Sequence, residues 1–161
     1  MIADVAIRLA IPADAHRIAM MSRDLIEYGL PWGWQAERVF QKIFSSNTNV
    51  VAVGPQGAPE AFGIMEYWDD DAHLVLFAVQ VARQRRGIGS AMLLWLEAVA
   101  RAHGSRRIRV EARRENVAAR NFYNEHGYHE RTINRAMYGE AVDGIRLEKW
   151  LRAEGQLPSD A

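Results

Sequence analysis

Apolar positions recur along this chain with two periods, and the period changes from segment to segment. Val5 to Leu9 reads as a first strand. Pro12-Ala13-Asp14 then opens a helix that carries Ile18, Met21, Leu25 and Ile26 on one face. Gly29-Leu30-Pro31-Trp32-Gly33-Trp34 ends it, since two glycines and a proline cannot continue a helix. A second helix carries Val39, Phe40, Ile43 and Phe44. Asn49 to Val53 and Ala61 to Trp68 are two strands about the turn Gly54-Pro55-Gln56-Gly57. His73 to Val81 is a long strand, apolar on both faces in its middle, as a central strand must be.

The helix after Ser90 is predicted to bury Met92, Leu93, Leu96, Val99 and Ala100, with Gly104 as its C-cap. Ile108 to Ala112 is another strand. Asn116 opens a short helix with Ala119, Phe122, Tyr123 and His126 on one side, and Gly127 closes it. Tyr128 to Tyr138 and Ile145 to Leu151 form a last hairpin, and Glu154 to Ala161 fray. Helices and strands alternate, so the fold class is α/β or α+β around a mixed sheet.

The densest chemical information lies in Gln84-Arg85-Arg86-Gly87-Ile88-Gly89-Ser90. An apolar strand enters this segment and a helix-period run leaves it. Glycines let the backbone approach a ligand closely. The first amides of a helix have no intrahelical acceptor, and the helix dipole favours negative charge there. Such a corner can hold a diphosphate without a metal, although glycines at a strand-to-helix turn also serve turn geometry alone. No Lys-Ser or Lys-Thr follows the glycines, which excludes a Walker-type loop. No acidic residue ends a second parallel strand about twenty positions on, which disfavours a dinucleotide-binding unit.

Composition narrows the picture further. The chain has 161 residues, enough for one domain with a real core. It contains no cysteine, so disulfides, thiolate metal sites and a cysteine nucleophile are excluded. No metal site is expected. No run of about eighteen apolar residues is present, and the start of the chain lacks a secretory pattern. The expected location is therefore the cytoplasm, with no membrane partner. Lys plus Arg and Asp plus Glu both number 20, which argues against nucleic acid as a partner. The charges are segregated, however. Arginines 83, 85, 86, 101, 106, 107, 109, 113 and 114 face only Glu97 and Glu111 between positions 83 and 114. Glu60, Glu66, Asp69, Asp70 and Asp71 form an acidic run. Each run is either a solvated face, or a phosphate-binding and a cation-attracting surface respectively.

Two segments together carry a family resemblance. Gln84-Arg85-Arg86-Gly87-Ile88-Gly89 resembles the Q/R-x-x-G-x-G/A acetyl-CoA signature of the GNAT (Gcn5-related) N-acetyltransferases. Asn116 to Tyr128, with Ala119, Phe122, Tyr123 and Gly127 in place, is similar to the second signature of that superfamily. Val110-Glu111-Ala112-Arg113-Arg114-Glu115-Asn116 resembles the E-x-R-x-x-N segment of RimI-type protein N-terminal acetyltransferases, and Arg135-Ala136-Met137-Tyr138 is a weaker echo of their R-x-Y-Y segment. The chain departs from the pattern in having Val81 or Ala82 where proline often stands, and Gln84 where a basic residue often stands.

The resemblance, which spans about residues 5 to 151, implies a single GNAT domain over 1–161, with about seven strands, about four helices and splayed central strands. Acetyl-CoA would be the co-substrate. Main-chain groups near Val79 and Val81 would bind its pantetheine arm. Gln84, Arg85, Arg86, Gly87, Gly89 and Ser90 would hold its pyrophosphate, with Asn116 and Tyr123 completing the cofactor contacts. Tyr123 would be the acid that stabilises the departing thiolate. A free phenol near 10 and a thiol near 8.5 make full transfer uphill by roughly 2 kcal/mol. Glu111 would be the general base, with Glu66 and His73 as runners-up and a salt bridge to Arg109 or Arg113 as its competing role. Tyr28, Trp32, Trp34 and Tyr138 would line the acceptor site, as a hydrophobic wall or a cation cage, or else as a satellite core. The partner is an amine: a peptide N-terminus, or a small-molecule amine. A homodimer is compatible with the family. A non-catalytic acyl-CoA-binding module and a nucleotide-binding protein are the competing classes.

Overall fold

The computed structural model describes residues 5–139 and 142–151. Among these, the strands are β1 (Arg8–Leu9), β2 (Thr48–Val53), β3 (Ala61–Tyr67), β4 (Asp71–Val79), β5 (Arg107–Arg113), β6 (His129–Asn134) and β7 (Gly144–Trp150). The helices are α1 (Ala15–Leu25), α2 (Ala36–Ile43), α3 (Ile88–His103) and α4 (Val117–Glu125). The strands order β1-β2-β3-β4-β5-β7-β6 in one mixed sheet, with β4 fourth of seven. The chain divides into two compact units, Met1–Glu66 with Leu74–Leu96, and Tyr67–His73 with Glu97–Ala161. Among the described residues no helix is long and apolar enough to cross a membrane.

In the first unit β1, β2 and β3 run antiparallel, with Arg8 opposite Ala52 and Thr48 opposite Glu66. The expected strand from Val5 shrinks to two residues. Its partner β2 stops at Val53 and Gly54 turns at φ 108°, so in this register Val5 and Ala6 fall beyond the end of β2. Pro12–Asp14 forms a 3-10 turn ahead of α1 rather than its first turn. Asp14 is fully buried and ties this corner together. Its carboxylate takes both ends of the Arg8 guanidinium (2.7 and 3.0 Å), the Ile11 amide (2.8 Å) and the Gly57 amide (2.8 Å). Burial pushes this carboxyl up, but Arg8 and the two amides outweigh it and hold it below the usual range.

The core of this unit joins Ile18, Ala19 and Met21 of α1, Val39 of α2, Val50 and Ala52 of β2, Phe62 and Ile64 of β3, and Leu76 and Ala78 of β4. Glu27 organises the break between the helices. It accepts hydrogen bonds from Ser22 Oγ (2.8 Å) and from the Gly33 (2.8 Å) and Trp34 (3.3 Å) amides. Phe40 and Phe44 stand exposed, their rings edge to face at 5.0 Å.

In the second unit β5 and β6 flank β7 antiparallel, from Arg107 opposite Trp150 to Arg113 opposite Gly144. Strand alternation buries Ile108 and Val110, with Ile145 and Leu147 across from Ala112 and Val110, and sends Arg109 and Glu111 to the other face. A bulge between Glu130 and Thr132 interrupts β6. The expected strand to Tyr138 ends at Asn134. Ala136 adopts φ 57° and donates its amide to Asp143 Oδ1 (2.9 Å), which makes residues 135–139 a turn. The expected fraying of Glu154 to Ala161 lies outside the described residues.

Helix α3 departs from its predicted face at two positions. Met92, Leu93, Leu96 and Ala100 are buried, but Val99 is only half-buried and Glu97 is 1% exposed. A carboxylate can occupy that place because Tyr128 donates its hydroxyl to it (2.8 Å) and Lys149 Nζ sits 3.1 and 3.2 Å from its two oxygens.

Candidate active site

The glycine corner belongs to the first unit. Strand β4 ends at Val79, two residues earlier than expected, and Val81–Arg83 forms a 3-10 turn. Val81 is 68% exposed, so its side chain is not a core element. Gln84 donates its side-chain amide to the Val79 carbonyl (3.0 Å) and folds the loop back on the strand end. Arg85 (φ 65°) and Gly87 (φ 82°) both lie in the left-handed region, where glycine is at ease and arginine is strained.

Helix α3 starts at Ile88, so Gly89 and Ser90 occupy its first turn rather than the loop before it. Ala91 donates to the Gly87 carbonyl (3.0 Å), the first bond of the helix ladder. The amides of Ile88 and Gly89, at the start of the helix, have no intrahelical acceptor by helix geometry. A Cβ built on Gly87 meets no atom within 4 Å, so the corner is open to an approaching group. Arg83 pairs with Glu60 (3.2 Å), whereas among the described residues Arg85 and Arg86 have no ion-pair partner. Open backbone, helix dipole and two uncommitted guanidinium groups fit an anion of several charges.

The second unit gathers the titrating groups. Tyr123 on α4 is 5% exposed, its ring edge-on to Phe122 (5.4 Å) and to Tyr128 (5.6 Å). Burial, with the neighbouring Tyr138 and Glu111, pushes its phenol up, so it stays protonated and keeps an O–H to donate across the working pH range. Tyr138, in the turn after β6, is half-buried. Burial and the field of Glu111 push it up to about 12, against the opposing field of Arg113. Thus Tyr123, Glu111 and Tyr138, picked out separately in the sequence, share one electrostatic neighbourhood.

Glu111 is half-buried and does not take the salt bridge to Arg109 or Arg113 that competed with its chemical role. Instead its Oε2 lies 2.6 Å from His73 Nε2, and its Oε1 lies 3.7 Å from Arg146 Nη2, the residue opposite it on β7. Burial pushes the carboxyl up, but the hydrogen bond from His73 and the fields of His73, Arg146 and Arg109 outweigh it and leave it below the usual range. Glu66, a runner-up for the same role, is committed in the first unit to Lys42 Nζ at 2.6 Å. Asn116 caps α4 by accepting the Ala119 amide (3.1 Å).

The expected acceptor wall is only partly assembled. Trp34 is a core residue, with the Arg38 guanidinium 3.8 Å over its ring. Trp32 is half-buried, donates its Nε1–H to the Ala19 carbonyl (3.1 Å), and has Arg23 over it at 5.4 Å. One face of each ring is thus taken by one of the chain's own arginines. Tyr28 stands exposed. The acidic run is likewise largely neutralised: Asp71 binds Arg107 (2.7 Å), Asp70 lies 3.9 Å from Arg106, and Glu60 and Glu66 have the partners already named. What sequence reading missed is the His73–Glu111 pair and the buried Glu97. Strand alternation marks His73 and Glu111 as polar-face residues, but only strand register makes them meet.

Against known families, residues 18–128 match the model of the acetyltransferase (GNAT) family. The chain belongs to that family, and it is an acetyltransferase by membership. Comparison with curated protein sequences finds no match. Among solved structures, the ribosomal-protein-S18-alanine N-acetyltransferase from Escherichia coli is 25% identical, with a TM-score of 0.75 over 95% of this chain and 98% of that one. Ard1 from Thermoplasma volcanium shares the fold at 19% identity, TM-score 0.78, over 92% and 98% of the two chains. PaiA N-acetyltransferase from Thermoplasma acidophilum, solved in complex with coenzyme A, does so at 15% identity, TM-score 0.78, over 92% and 99%.

Proposed function

We propose that this chain transfers acetyl from acetyl-CoA to a primary amine by direct attack, and that the acceptor is a peptide or protein N-terminus. The observation that carries the reading is the buried, protonated Tyr123 in the same neighbourhood as the ionised Glu111 and its partner His73. In this reading the corner from Gln84 to Ser90 holds the pyrophosphate, and main-chain groups at Val79 and Val81 hold the pantetheine arm. The amine nitrogen forms a bond to the thioester carbon. The C–S bond then breaks, and the Tyr123 hydroxyl hydrogen-bonds the sulfur as negative charge collects there. With its phenol pushed up, Tyr123 stabilises the thiolate rather than giving up its proton outright. The proton lost by the amine goes to the Glu111–His73 pair.

The α-amine is preferred to a lysine-like amine on energetic grounds. Neutralising an α-ammonium at pH 7 costs about 1 to 1.4 kcal/mol, a lysine about 4.6. The 25% identity to an enzyme named as a ribosomal-protein-S18-alanine N-acetyltransferase points the same way. A panel of N-terminal peptides and small amines, screened for coenzyme A release, tests the acceptor. Replacement of Tyr123 by Phe tests the site. Turnover should fall about a hundredfold or more while acetyl-CoA affinity is kept. Undiminished turnover, or a wild-type chain with no affinity for coenzyme A, overturns the reading.

A further inference from the structure

We propose that the proton leaving the acceptor amine is taken by Nδ1 of His73, and that Glu111 is the carboxylate that holds this ring rather than the proton's destination. The inference rests on the acetyl-transfer reading above and assigns the base within it.

Geometry comes first. His73 lies on β4 and Glu111 on β5, with Nε2 and Oε2 2.6 Å apart and both side chains half-buried. A carboxylate that close fixes the neutral ring as the Nε2–H tautomer, because only an N–H can face an anion at hydrogen-bond distance. The lone pair of the neutral ring is then on Nδ1. Among the described residues Nδ1 makes no hydrogen bond, so it is left to act. The charged and titratable groups about the pair are Arg109 beside Glu111 on β5, Arg146 opposite it on β7, Tyr123 on α4 and Tyr138 in the turn after β6.

Basicity then separates the two partners. Both oxygens of Glu111 face donors, His73 on one and Arg146 on the other. Burial opposes the charge, yet these partners keep the carboxyl below its ordinary range. A carboxylate held below its ordinary range by two donors is a poor acceptor for the proton of an α-ammonium, whereas the Nδ1 lone pair of the neutral ring makes no hydrogen bond among the described residues. A base works best with a pKa close to the operating pH. The balance is simple. As the amine nitrogen bonds to the carbonyl carbon, its N–H proton passes to Nδ1 and the ring becomes imidazolium. That cation is held by the Glu111 carboxylate through the same Nε2–H. The C–S pair leaves on sulfur, the thiolate takes a proton from water, and the imidazolium returns its own to the hydroxide left behind.

Two measurements on the full chain test this. The first needs no acceptor: long-range 15N–1H spectra, with the His73 signals assigned by their loss in His73→Gln. The Nε2–H tautomer should dominate at neutral pH, with Nδ1 titrating in one step. In Glu111→Ala the ring should become a mixture of tautomers. An Nδ1–H tautomer, or a ring still doubly protonated at pH 9, overturns the proposal. The second is CoA release from acetyl-CoA with amines and N-terminal peptides across pH 5 to 9. His73→Gln should lose about a hundredfold in kcat, and the acidic limb of the profile with it. Added imidazole should restore part of the rate to His73→Ala. Glu111→Gln should keep the limb but move it down by about one unit, with KM little changed. A His73→Gln chain with wild-type rate and profile, while Glu111→Gln is dead, overturns the assignment. A wild type that releases no coenzyme A with any amine overturns acetyl transfer itself, a visibly different result.

Discussion

Removing the cation from the buried Glu97 should expose how much the second unit depends on one ion pair. Lys149 Nζ reaches both Glu97 oxygens (3.1 and 3.2 Å) and the His126 carbonyl (2.8 Å), and it lies 5.7 Å from the centre of the Tyr128 ring. Glu97 is 1% exposed, so Lys149→Met leaves a carboxylate with one neutral donor, Tyr128, in place of a cation. Breaking a buried pair by removing one partner costs about 3 to 5 kcal/mol. For a chain of this size each kcal/mol shifts Tm by about 2 to 4 °C, so a fall of roughly 6 to 20 °C is expected.

The pH dependence gives the cause. With its cation gone, Glu97 is a buried carboxylate held by one neutral hydroxyl, and such burial favours the uncharged form. The variant's folded state then keeps protons that the unfolded chain releases, so its stability falls as pH rises. Urea unfolding followed by circular dichroism at pH 5 and pH 8 should show Lys149→Met far weaker at pH 8. Glu97→Gln in the same background should abolish that slope. A loss under about 1 kcal/mol with no added slope would refute the reasoning, and would mean that water or Tyr128 suffices for the carboxylate.

Asp14→Asn should cost about 2 to 3 kcal/mol at pH 7, since one oxygen can no longer accept from Arg8 or a main-chain amide. Because the folded Asp14 carboxyl is depressed, its contribution is present above the unfolded value near 3.9 and is lost as pH falls through the lower folded one. Urea midpoints of the two chains should therefore converge in acid. Gly54→Ala should destabilise by about 1 to 3 kcal/mol in thermal unfolding, because φ is 108° and its Cβ would lie 2.9 Å from the Glu60 backbone nitrogen. Arg85→Ala with Arg86→Ala should weaken coenzyme A binding several-fold in calorimetry and flatten its salt dependence. Unchanged affinity would remove both arginines from the phosphate site.

Much of the architecture was legible because it follows from local rules. The period-2 run into Val79, the glycine corner at 87, the Asn116 cap and the Gly127 stop of α4 each depend on residues within a few positions of one another. Boundaries failed where a distant partner decided them. Strand β1 is short because β2 turns at Gly54, and β6 is short because Asp143 pulls Ala136 into a turn. Trp34 reads as a ligand-facing ring from its place beside Gly33 at the break between two helices, yet its neighbours in space, Val39 among them, make it core.

The order of residues alone settled the family, the strand–glycine–helix corner and the presence of Tyr123 and Glu111 at signature positions. All of these are patterns in one dimension. Tertiary structure decided who partners whom. It set Glu111 against His73 and Arg146 instead of Arg109 or Arg113, and gave Glu97 a buried cation. It also covered the tryptophan faces with Arg38 and Arg23. The physical reason is that a charge or a ring is valued by what lies within a few ångströms, and at separations such as the 38 positions between His73 and Glu111 only the packed strands bring such neighbours together.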